Sequence, residues 1–452
     1  MRDIPTDWRG TLTLSEATVP AGLIAPDGGI AIDRDGFACV DMDLAHGRIS
    51  AVRPHNPAST GTHQVALRRR MLWPTLSDLH THLDKGHIWH RAPNTDGTHA
   101  TAAATVARDR RANWSAEDVA SRFEFALRCG WAHGTSAIRP HLDSYELAQA
   151  RVSWGVFETL RSRWAGRMDL QGVCMTRIDA YAGADGAALV DLTERAQGVL
   201  GGILRIVPPA DPEAVDHYLD VLFAYARVRG LDIDLHIDET GDPAASGLRR
   251  VAQAALRNHF SGRIACGHCC ALSVQPEAVM RETIAMVRDA GITIVTLPMV
   301  NLYLQDRGQG RTPRWRGITP VQELRAAGID VVAASDNCRD PFYMFGDLDM
   351  LETFREFVRI GQLDETVGQW VDNVTTLPAR VMGHHGASRL VPGAPVDFIV
   401  FNARTADELL ARPQSDRIVL RDGMAIDTAL PPEGRGGGGR GGDRAGGGRR
   451  RR

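Results

Sequence analysis

Short apolar segments recur about every 35 residues through the middle of the chain, and amphipathic segments separate them. An apolar run of roughly four to eight residues between turn-forming residues is typical of a strand buried in a parallel sheet. The pattern predicts strands near residues 71–80, 135–141, 169–177, 202–208, 231–237, 263–268, 292–298 and 329–336. Eight strands that alternate with helices favour a closed (β/α)8 barrel over an open doubly wound sheet.

Helix start and stop signals occur between these strands. Ser115 precedes an amphipathic stretch and is expected to cap a helix, and Pro212 is expected at the start of another helix. Glycine follows several of the amphipathic stretches, as helix C-termini favour. These glycines are Gly130, Gly230, Gly291 and Gly328.

The two chain ends have a different pattern from the middle. Residues 1–70 contain short β-branched stretches interrupted by Gly, Pro, Asp and Asn, and similar stretches return in residues 388–430. We expect these two segments to pair into one small β-domain beside a barrel of residues 71–387. The last segment, residues 431–452, consists mostly of Gly and Arg and is expected to be disordered.

Composition is that of an ordinary soluble enzyme, with 43% hydrophobic and 24% charged residues. The net charge of -3 gives no general attraction to nucleic acid or anionic membranes. The sequence contains no run of about 18 apolar residues, so no membrane span is expected. The N-terminus lacks the apolar region of a secretory signal. We therefore expect a cytoplasmic location.

The first predicted barrel strand ends in two histidines. His80 and His82 are two residues apart, so their side chains leave the same face of an extended strand. In such barrels, functional residues collect at the C-terminal edge of the strands. Two imidazoles on one face provide half of a site for a borderline-soft metal ion. A pair of this kind on its own is equally compatible with structural or surface histidines.

The fifth predicted strand has an unusual polar face, formed by Asp232, Asp234 and His236. Strands covered on both sides of a parallel sheet are usually apolar throughout, so this face predicts a functional barrel mouth. Glu239 follows just beyond the strand, where it is placed to act as a general acid or base.

Two further polar residues end the sixth and eighth predicted strands, His268 and Asp336. Either residue alone could be structural, as a hydrogen-bonded histidine or as an aspartate that caps a helix. Their position at the same barrel edge as the other histidines favours one shared functional site.

This arrangement resembles the amidohydrolase superfamily, in which H-x-H follows strand 1, a histidine follows strands 5 and 6, and an aspartate follows strand 8. The resemblance covers residues 10–428 and implies that the small domain is a β-sandwich made from both chain ends. The chain looks most like cytosine deaminase and its relatives, and it is also similar to N-isopropylammelide isopropylamidohydrolase. The segments that carry this resemblance are HTHLDK, DLHIDET, LPMVNLYLQDR, RWRGITPVQEL and SDNCRDPFYMFGDLDML.

The resemblance implies one divalent ion, Zn(II) or Fe(II), and a set of catalytic groups. The implied metal ligands are His80, His82, His236 and Asp336. Asp336 would also accept a proton from the attacking water, His268 would orient that water, and Glu239 would protonate the ring nitrogen of a heterocyclic substrate.

The implied substrate-binding residues are Lys85, Arg177 and Asn337. Arg177 stands where cytosine deaminase has a glutamine after strand 3, and Asn337 stands where it has a second aspartate. Lys85 and Arg177 only donate hydrogen bonds, so they suit an oxygen-rich or anionic heterocycle. Arg177 could instead form an ion pair with Asp179 at the barrel rim.

The expected function is metal-dependent hydrolytic deamination of an amino-substituted heterocycle, such as cytosine or a related pyrimidine, purine or pterin, with release of ammonia. An alternative is release of an alkylamine from an s-triazine-like ring. A second alternative is a non-catalytic barrel scaffold whose Gly/Arg tail binds RNA weakly. The expected partner is a small heterocyclic molecule, with homo-oligomerisation left open. Phe342, Tyr343 and Phe345 could stack on a planar ring or pack the barrel top.

Overall fold

The computed structural model describes residues 10–25, 29–59, 63–204, 211–384 and 388–432. Apart from its first two residues, the Gly/Arg segment expected to be disordered lies outside the described residues. Within the described ranges, no helix combines the length and apolar character needed to cross a membrane.

The N-terminal segment forms short strands, as its pattern predicts. Strands β1, β2, β3 and β4 form one sheet in the order β3-β2-β1-β4, and β5 joins a different sheet. Their bounds are β1 Thr11–Pro20, β2 Phe37–Ala45, β3 Arg48–Pro54, β4 Gln64–Ala66 and β5 Leu72–Pro74. A single 3-10 turn, Ala21–Leu23, lies between β1 and β2.

The middle of the chain forms the predicted parallel barrel. The strands are β6 Leu76–Thr81, β7 Thr135–Asp143, β8 Asp169–Leu170, β9 Val173–Met175, β10 Val199–Leu204, β11 Ile233–Ile237, β12 Ile264–His268, β13 Ile292–Thr296 and β14 Val331–Ala333. They pair in the order β14-β13-β12-β11-β10-β9-β7-β6, and β8 also pairs with β7. A parallel bridge between Thr81 and Asp336 joins the first strand to the segment after the last one. The (β/α)8 prediction is therefore confirmed.

Helices connect the barrel strands and cover the sheet. They are α1 His99–Asn113, α2 Ala116–Ala132, α3 Leu147–Trp164, α4 Gly186–Arg195, α5 Pro212–Arg229, α6 Gly247–Arg257, α7 Glu277–Asp289, α8 Pro298–Leu304, α9 Val321–Ala326, α10 Met350–Gly361 and α11 Thr376–Val381. The 3-10 segments in this part of the chain are Ile178–Ala182, Cys270–Val274 and Asp364–Val374. The Ser115 hydroxyl accepts from Asp118 N, so the predicted cap is present, and Pro212 begins α5.

The C-terminal segment completes the small β-domain. It contains β15 Phe398–Val400, α12 Ala406–Ala411, β16 Ile418–Arg421 and β17 Met424–Ala425. These strands form a sheet in the order β17-β16-β15-β5. The two small sheets share one apolar core, in which Leu14, Met42 and Leu72 pack with Val396 and Phe398. The predicted β-sandwich made from both chain ends is therefore confirmed as a fold class.

Several details differ from the sequence prediction. The predicted strand 169–177 divides into β8 and β9, and residues 205–208 of the predicted strand 202–208 lie outside the described residues. The predicted first barrel strand, 71–80, divides into β5 and β6, because Leu72–Pro74 pairs with β15 of the small sheet. Gly130 lies inside α2, and the chain turns later at Gly134, whose φ of +92° suits a residue without Cβ. The division of the chain into residues 1–70 with 388–430 and residues 71–387 stays a prediction.

A buried ion pair connects the small β-domain to the barrel. Arg417, just before β16, donates to both oxygens of Asp349 at 2.8 and 2.6 Å, and Asp349 caps α10 by accepting from Leu351 N. The two side chains are only 3% and 11% exposed. Because both charges are largely out of water, each depends on the other for compensation.

We predict that Asp349→Ala lowers the free energy of unfolding by about 3–5 kcal/mol, because it leaves the Arg417 guanidinium buried without its partner. Urea unfolding followed by circular dichroism measures the change. Arg281→Ala, which removes an exposed pair with Glu277, is the control and should change stability by no more than about 0.5 kcal/mol. A loss below about 1 kcal/mol in Asp349→Ala would contradict the prediction.

Candidate active site

Four side chains from distant parts of the chain meet at the C-terminal edge of the barrel. His236 Nε2 lies 3.1 Å from His80 Nε2 and 3.3 Å from His82 Nε2. One carboxylate oxygen of Asp336 lies 3.1 Å from His82 Nε2 and 3.6 Å from His80 Nε2. All four side chains are buried. The structure thus brings together the residues that the sequence predicts as metal ligands.

The geometry of this cluster fits a four-coordinate metal ion. Ligand atoms about 2.0–2.1 Å from a tetrahedral ion lie about 3.3 Å from one another, close to the distances between these atoms. Among the described residues, neither carboxylate oxygen of Asp336 has a hydrogen-bond partner, although both oxygens are buried. Burial lowers the pKa of His80, His82 and His236 well below the usual range. The imidazoles are therefore neutral, as metal ligation requires.

Backbone contacts at the barrel seam hold Asp336 in place. Its N–H donates to His80 O at 2.8 Å, and the Thr81 hydroxyl donates to its carbonyl oxygen at 2.8 Å. The buried Asp78 carboxylate accepts from the N–H of Ser335, the preceding residue. These contacts support a φ of +63° at Asp336, a left-handed conformation that is costly for a residue with a side chain.

His268 lies beside the cluster at the end of β12. One of its ring nitrogens is within 4.8 Å of ligand nitrogens of His80 and His236. His268 Nδ1 lies 2.9 Å from Asn301 Oδ1, and the Thr319 hydroxyl donates to the His268 carbonyl oxygen at 2.6 Å. His268 Nε2 is buried and has no hydrogen-bond partner in the described part of the chain. It is therefore available to a molecule bound at the cluster.

Glu239 lies on the other side of His268. Its Oε1 is 3.9 Å from His268 Nδ1, and its Oε2 is 3.4 Å from His99 Nε2. Burial raises the pKa of Glu239, but the electrostatic interaction with His268 and the contact with His99 outweigh burial and hold that pKa at about 2. Glu239 is therefore a carboxylate before substrate binds, and it must receive a proton before it can donate one.

Lys85 and Asn337 both line the cavity next to the cluster. The buried Lys85 ammonium lies 4.7 Å from the centre of the Phe342 ring. Asn337 donates its side-chain amide to Asp340 at 2.6 Å, and burial raises the pKa of Asp340 to about 7. Both residues are thus placed where the sequence analysis expects substrate-binding groups.

The structure does not bring Arg177 into this cavity. Strand β9 ends at Met175, and a 3-10 turn follows at once, so the Arg177 side chain is 72% exposed. Its guanidinium donates to both oxygens of Asp179 at 2.9 and 2.5 Å. Arg177 thus forms the ion pair with Asp179 at the barrel rim, which the sequence analysis gives as the alternative to substrate binding.

The cavity has a volume of about 110 Å³ and suits a compact molecule. Its apolar wall is formed by Tyr145, Met175, Ile203, Leu204 and Phe342. The other two aromatic residues of the same loop, Tyr343 and Phe345, pack with Tyr303 instead. A larger groove of about 760 Å³ lies elsewhere in the described structure, but it contains none of the clustered histidines or carboxylates.

A second buried polar layer lies beside His80, and the sequence analysis did not predict it as a unit. The His141 ring stacks on His80 with 3.8 Å between ring centres, and Arg139 donates to Asp234 at 2.8 Å. The His80, His141 and Asp234 side chains could themselves hold a cation. The Arg139 charge already compensates Asp234, so we interpret this layer as support for His80.

Other residues of the site were missed by the sequence analysis. Asp78 shares the strand face of His80 and His82, so the two-residue alternation could have identified it. Asn301 lies in the apolar LPMVNLYL segment, where a lone amide is a weak signal. His99 is the first residue of α1, and no sequence pattern relates it to Glu239.

Comparisons with known proteins identify the family to which the chain belongs. A family model described as amidohydrolase family matches residues 182–424. The chain is 47% identical over 421 residues to a pterin deaminase from Rhizobium rhizogenes (strain K84 / ATCC BAA-868), covering 92% of this chain and 94% of that protein. It is 24% identical to an N-isopropylammelide isopropyl amidohydrolase from Pseudomonas sp. (strain ADP), covering 80% and 87% of the two chains.

A solved structure of similar fold is that of 5-methylcytosine deaminase from Klebsiella pneumoniae, liganded with 5-fluorocytosine. It superposes with a TM-score of 0.75 at 21% identity, and the match covers 92% of this chain and 97% of that chain. The sequence relatives and the family model together show that this chain belongs to the amidohydrolase family.

Proposed function

We propose that this chain is a metal-dependent hydrolase that deaminates a pterin, replacing an exocyclic amino group with oxygen and releasing ammonia. The observation that carries the proposal is the convergence of three imidazoles and a carboxylate, with contacts of 3.1–3.6 Å, beside Glu239 at a cavity of about 110 Å³. The pterin ring system is chosen because the relative with 47% identity is a pterin deaminase.

The proposed metal ligands are His80, His82, His236 and Asp336. Zn(II) and Fe(II) both accept imidazole and carboxylate ligands, so the donor set suits either ion. When bound, such an ion lowers the pKa of a coordinated water towards neutrality, which makes a strong nucleophile available near pH 7.

Three protein groups around the cluster would each have a separate role in the reaction. Asp336 has two buried oxygens without partners among the described residues, and one of them can accept a proton from the attacking water. His268 Nε2 can hold the oxygen that attacks the ring carbon. Glu239, which is ionised before substrate binds, would take up the other proton of the attacking water and pass it from Oε1 to the neighbouring ring nitrogen, so that negative charge does not accumulate on the ring during attack. The proton accepted by Asp336 would then go to the departing amino group, which leaves as ammonia.

Lys85, Asn337 and Phe342 suit an oxo-substituted planar ring. No hydrogen-bond acceptor contacts the Lys85 ammonium in the described part of the chain, so an oxygen on the substrate ring would supply an acceptor for this buried cation beside Phe342. The Phe342 ring provides an apolar wall against which a planar heterocycle can pack.

A second candidate reaction is the release of an alkylamine from an s-triazine-like ring, which the relative with 24% identity supports. The scaffold alternative is less favoured, because a barrel without catalysis has no need to keep this set of side chains together. A cytoplasmic location, a homo-oligomer and a weak RNA contact of the Gly/Arg tail stay predictions.

We predict that the purified protein releases ammonia from pterin faster than from cytosine, isocytosine, isoguanine or ammelide. A coupled glutamate dehydrogenase assay measures the ammonia, and mass spectrometry identifies the oxo product. Release of isopropylamine from N-isopropylammelide, with no ammonia from pterin, would instead support the second candidate.

We predict that the protein holds about one divalent ion per chain, since true metal sites bind stoichiometrically. His236→Ala should reduce the content to less than about 0.1 ion per chain, because one of the proposed ligands is lost. Inductively coupled plasma mass spectrometry measures the content. His90→Ala, which removes an exposed histidine, is the matched control and should keep the ion. Equal metal content in both variants would exclude the proposed ligand set.

We predict that Glu239→Gln keeps the metal ion but lowers kcat by roughly 100–10,000-fold, because an amide cannot exchange the proton with the ring nitrogen. Steady-state kinetics with pterin and metal analysis of the same sample test this. Glu277→Gln, at an exposed position on α7, serves as the control. Near-parental turnover by Glu239→Gln would remove Glu239 from the mechanism.

A further inference from the structure

His99 is the first residue of α1 and lies at the edge of the cavity. Its Nε2 is 3.4 Å from Glu239 Oε2, and its side chain is 41% exposed while that of Glu239 is 14% exposed. His99 therefore contacts a buried carboxylate on one side and the cavity entrance on the other. None of the proton transfers proposed above uses it.

The two oxygens of Glu239 have different surroundings. Oε2 faces His99, whereas Oε1 is buried and finds no hydrogen-bond partner within the described ranges. His268 Nδ1 lies 3.9 Å from Oε1, and that nitrogen is already 2.9 Å from Asn301 Oδ1. One carboxylate oxygen is thus held, and the other is left for a substrate.

The position of His99 is fixed by contacts between two loops. The buried Asn94 side chain donates to the carbonyl oxygens of Thr98 and Pro341, both at 3.0 Å, and accepts from Gly97 N at 2.8 Å. These bonds tie the loop before α1 to the loop after the eighth barrel strand. The Thr98 hydroxyl also caps α1, so the helix begins at a defined residue.

The His99 ring also packs edge-on against Phe342, with 5.2 Å between ring centres and 72° between ring planes. Phe342 follows Pro341, to which Asn94 is bonded. The same loop contact therefore places both His99 and the apolar wall of the cavity.

We propose that His99 is a positioning residue for Glu239. It holds Oε2 by a hydrogen bond from Nε2, and it thereby orients Oε1 towards the ring nitrogen of the substrate. The inference rests on the proposed function for the identity of that ring, but the contact with Glu239 does not depend on which heterocycle binds. His99 acts through Glu239, so its loss changes turnover more than substrate binding.

The first test compares His99→Ala and His99→Gln with the parent enzyme on pterin. The alanine variant should lose about 10–100-fold in kcat with little change in KM, as expected for one lost hydrogen bond to a charged group. The glutamine variant, which keeps an N–H donor, should retain most of the turnover. Added imidazole should restore kcat of His99→Ala in a concentration-dependent way.

The matched control is His90→Ala, whose kcat should equal that of the parent and should not respond to imidazole. A kcat of His99→Ala within about twofold of the parent overturns the inference. So does a loss confined to KM, or a loss in kcat that neither imidazole nor His99→Gln reverses, because a purely structural role for His99 would give those results.

A second measurement separates this inference from the proposed function. Crystal structures of the Zn(II)-loaded parent and of Zn(II)-loaded His99→Ala report the Glu239 side chain without any substrate. A reoriented or disordered Glu239 carboxylate in the variant supports the inference, and an unchanged carboxylate overturns it. A parent enzyme that releases no ammonia from pterin contradicts only the proposed substrate, and the crystal structures then decide the role of His99.

Discussion

The site depends on the seam where the first barrel strand meets the segment after the last one. The hydrogen bond from Asp336 N to His80 O, the Thr81 hydroxyl bond and the Asp78 contact with Ser335 all cross this seam. They bring residues of the first and eighth βα units to within 3.1–3.6 Å of each other. The same contacts hold Asp336 in a conformation that an aspartate would otherwise avoid. Barrel closure and assembly of the candidate metal site are therefore one event.

The clustered imidazoles are buried, and the protein atoms around them do not supply a hydrogen-bond donor for every nitrogen lone pair. The Nε2 atom of His236 lies 3.1 Å from that of His80 and 3.3 Å from that of His82. Neutral imidazoles present lone pairs at such positions, and only one proton can be shared between two of them. A bound cation satisfies all the lone pairs and the Asp336 carboxylate together. The arrangement is thus costly without a cation, because buried polar atoms without partners destabilise the folded state.

Much of the fold and most of the cluster could be predicted from the sequence, because both follow local periodicity. Alternation along β6 and β11 places His80 and His236 on inward faces, and His82 continues the alternation just after β6. The predicted strand ends identify His268 and Asp336. The direction of Arg177 could not be predicted, since it depends on how early β9 ends. The His99 contact with Glu239 could not be predicted either. It arises from the docking of two loops through Asn94, and no periodic pattern records such a contact.

Strand β5 pairs with β15 near the end of the chain, and one residue separates β5 from β6, which carries His80. This connection has a consequence for biosynthesis. A nascent polypeptide emerging from the ribosome has its first two histidines early, but it lacks their carboxylate partner until residue 336 is made, and the edge beside them stays unpaired until β15 follows. The proposed ligand set can therefore be complete only late in synthesis, and a translation product that stops before residue 336 would lack the carboxylate of the proposed metal site.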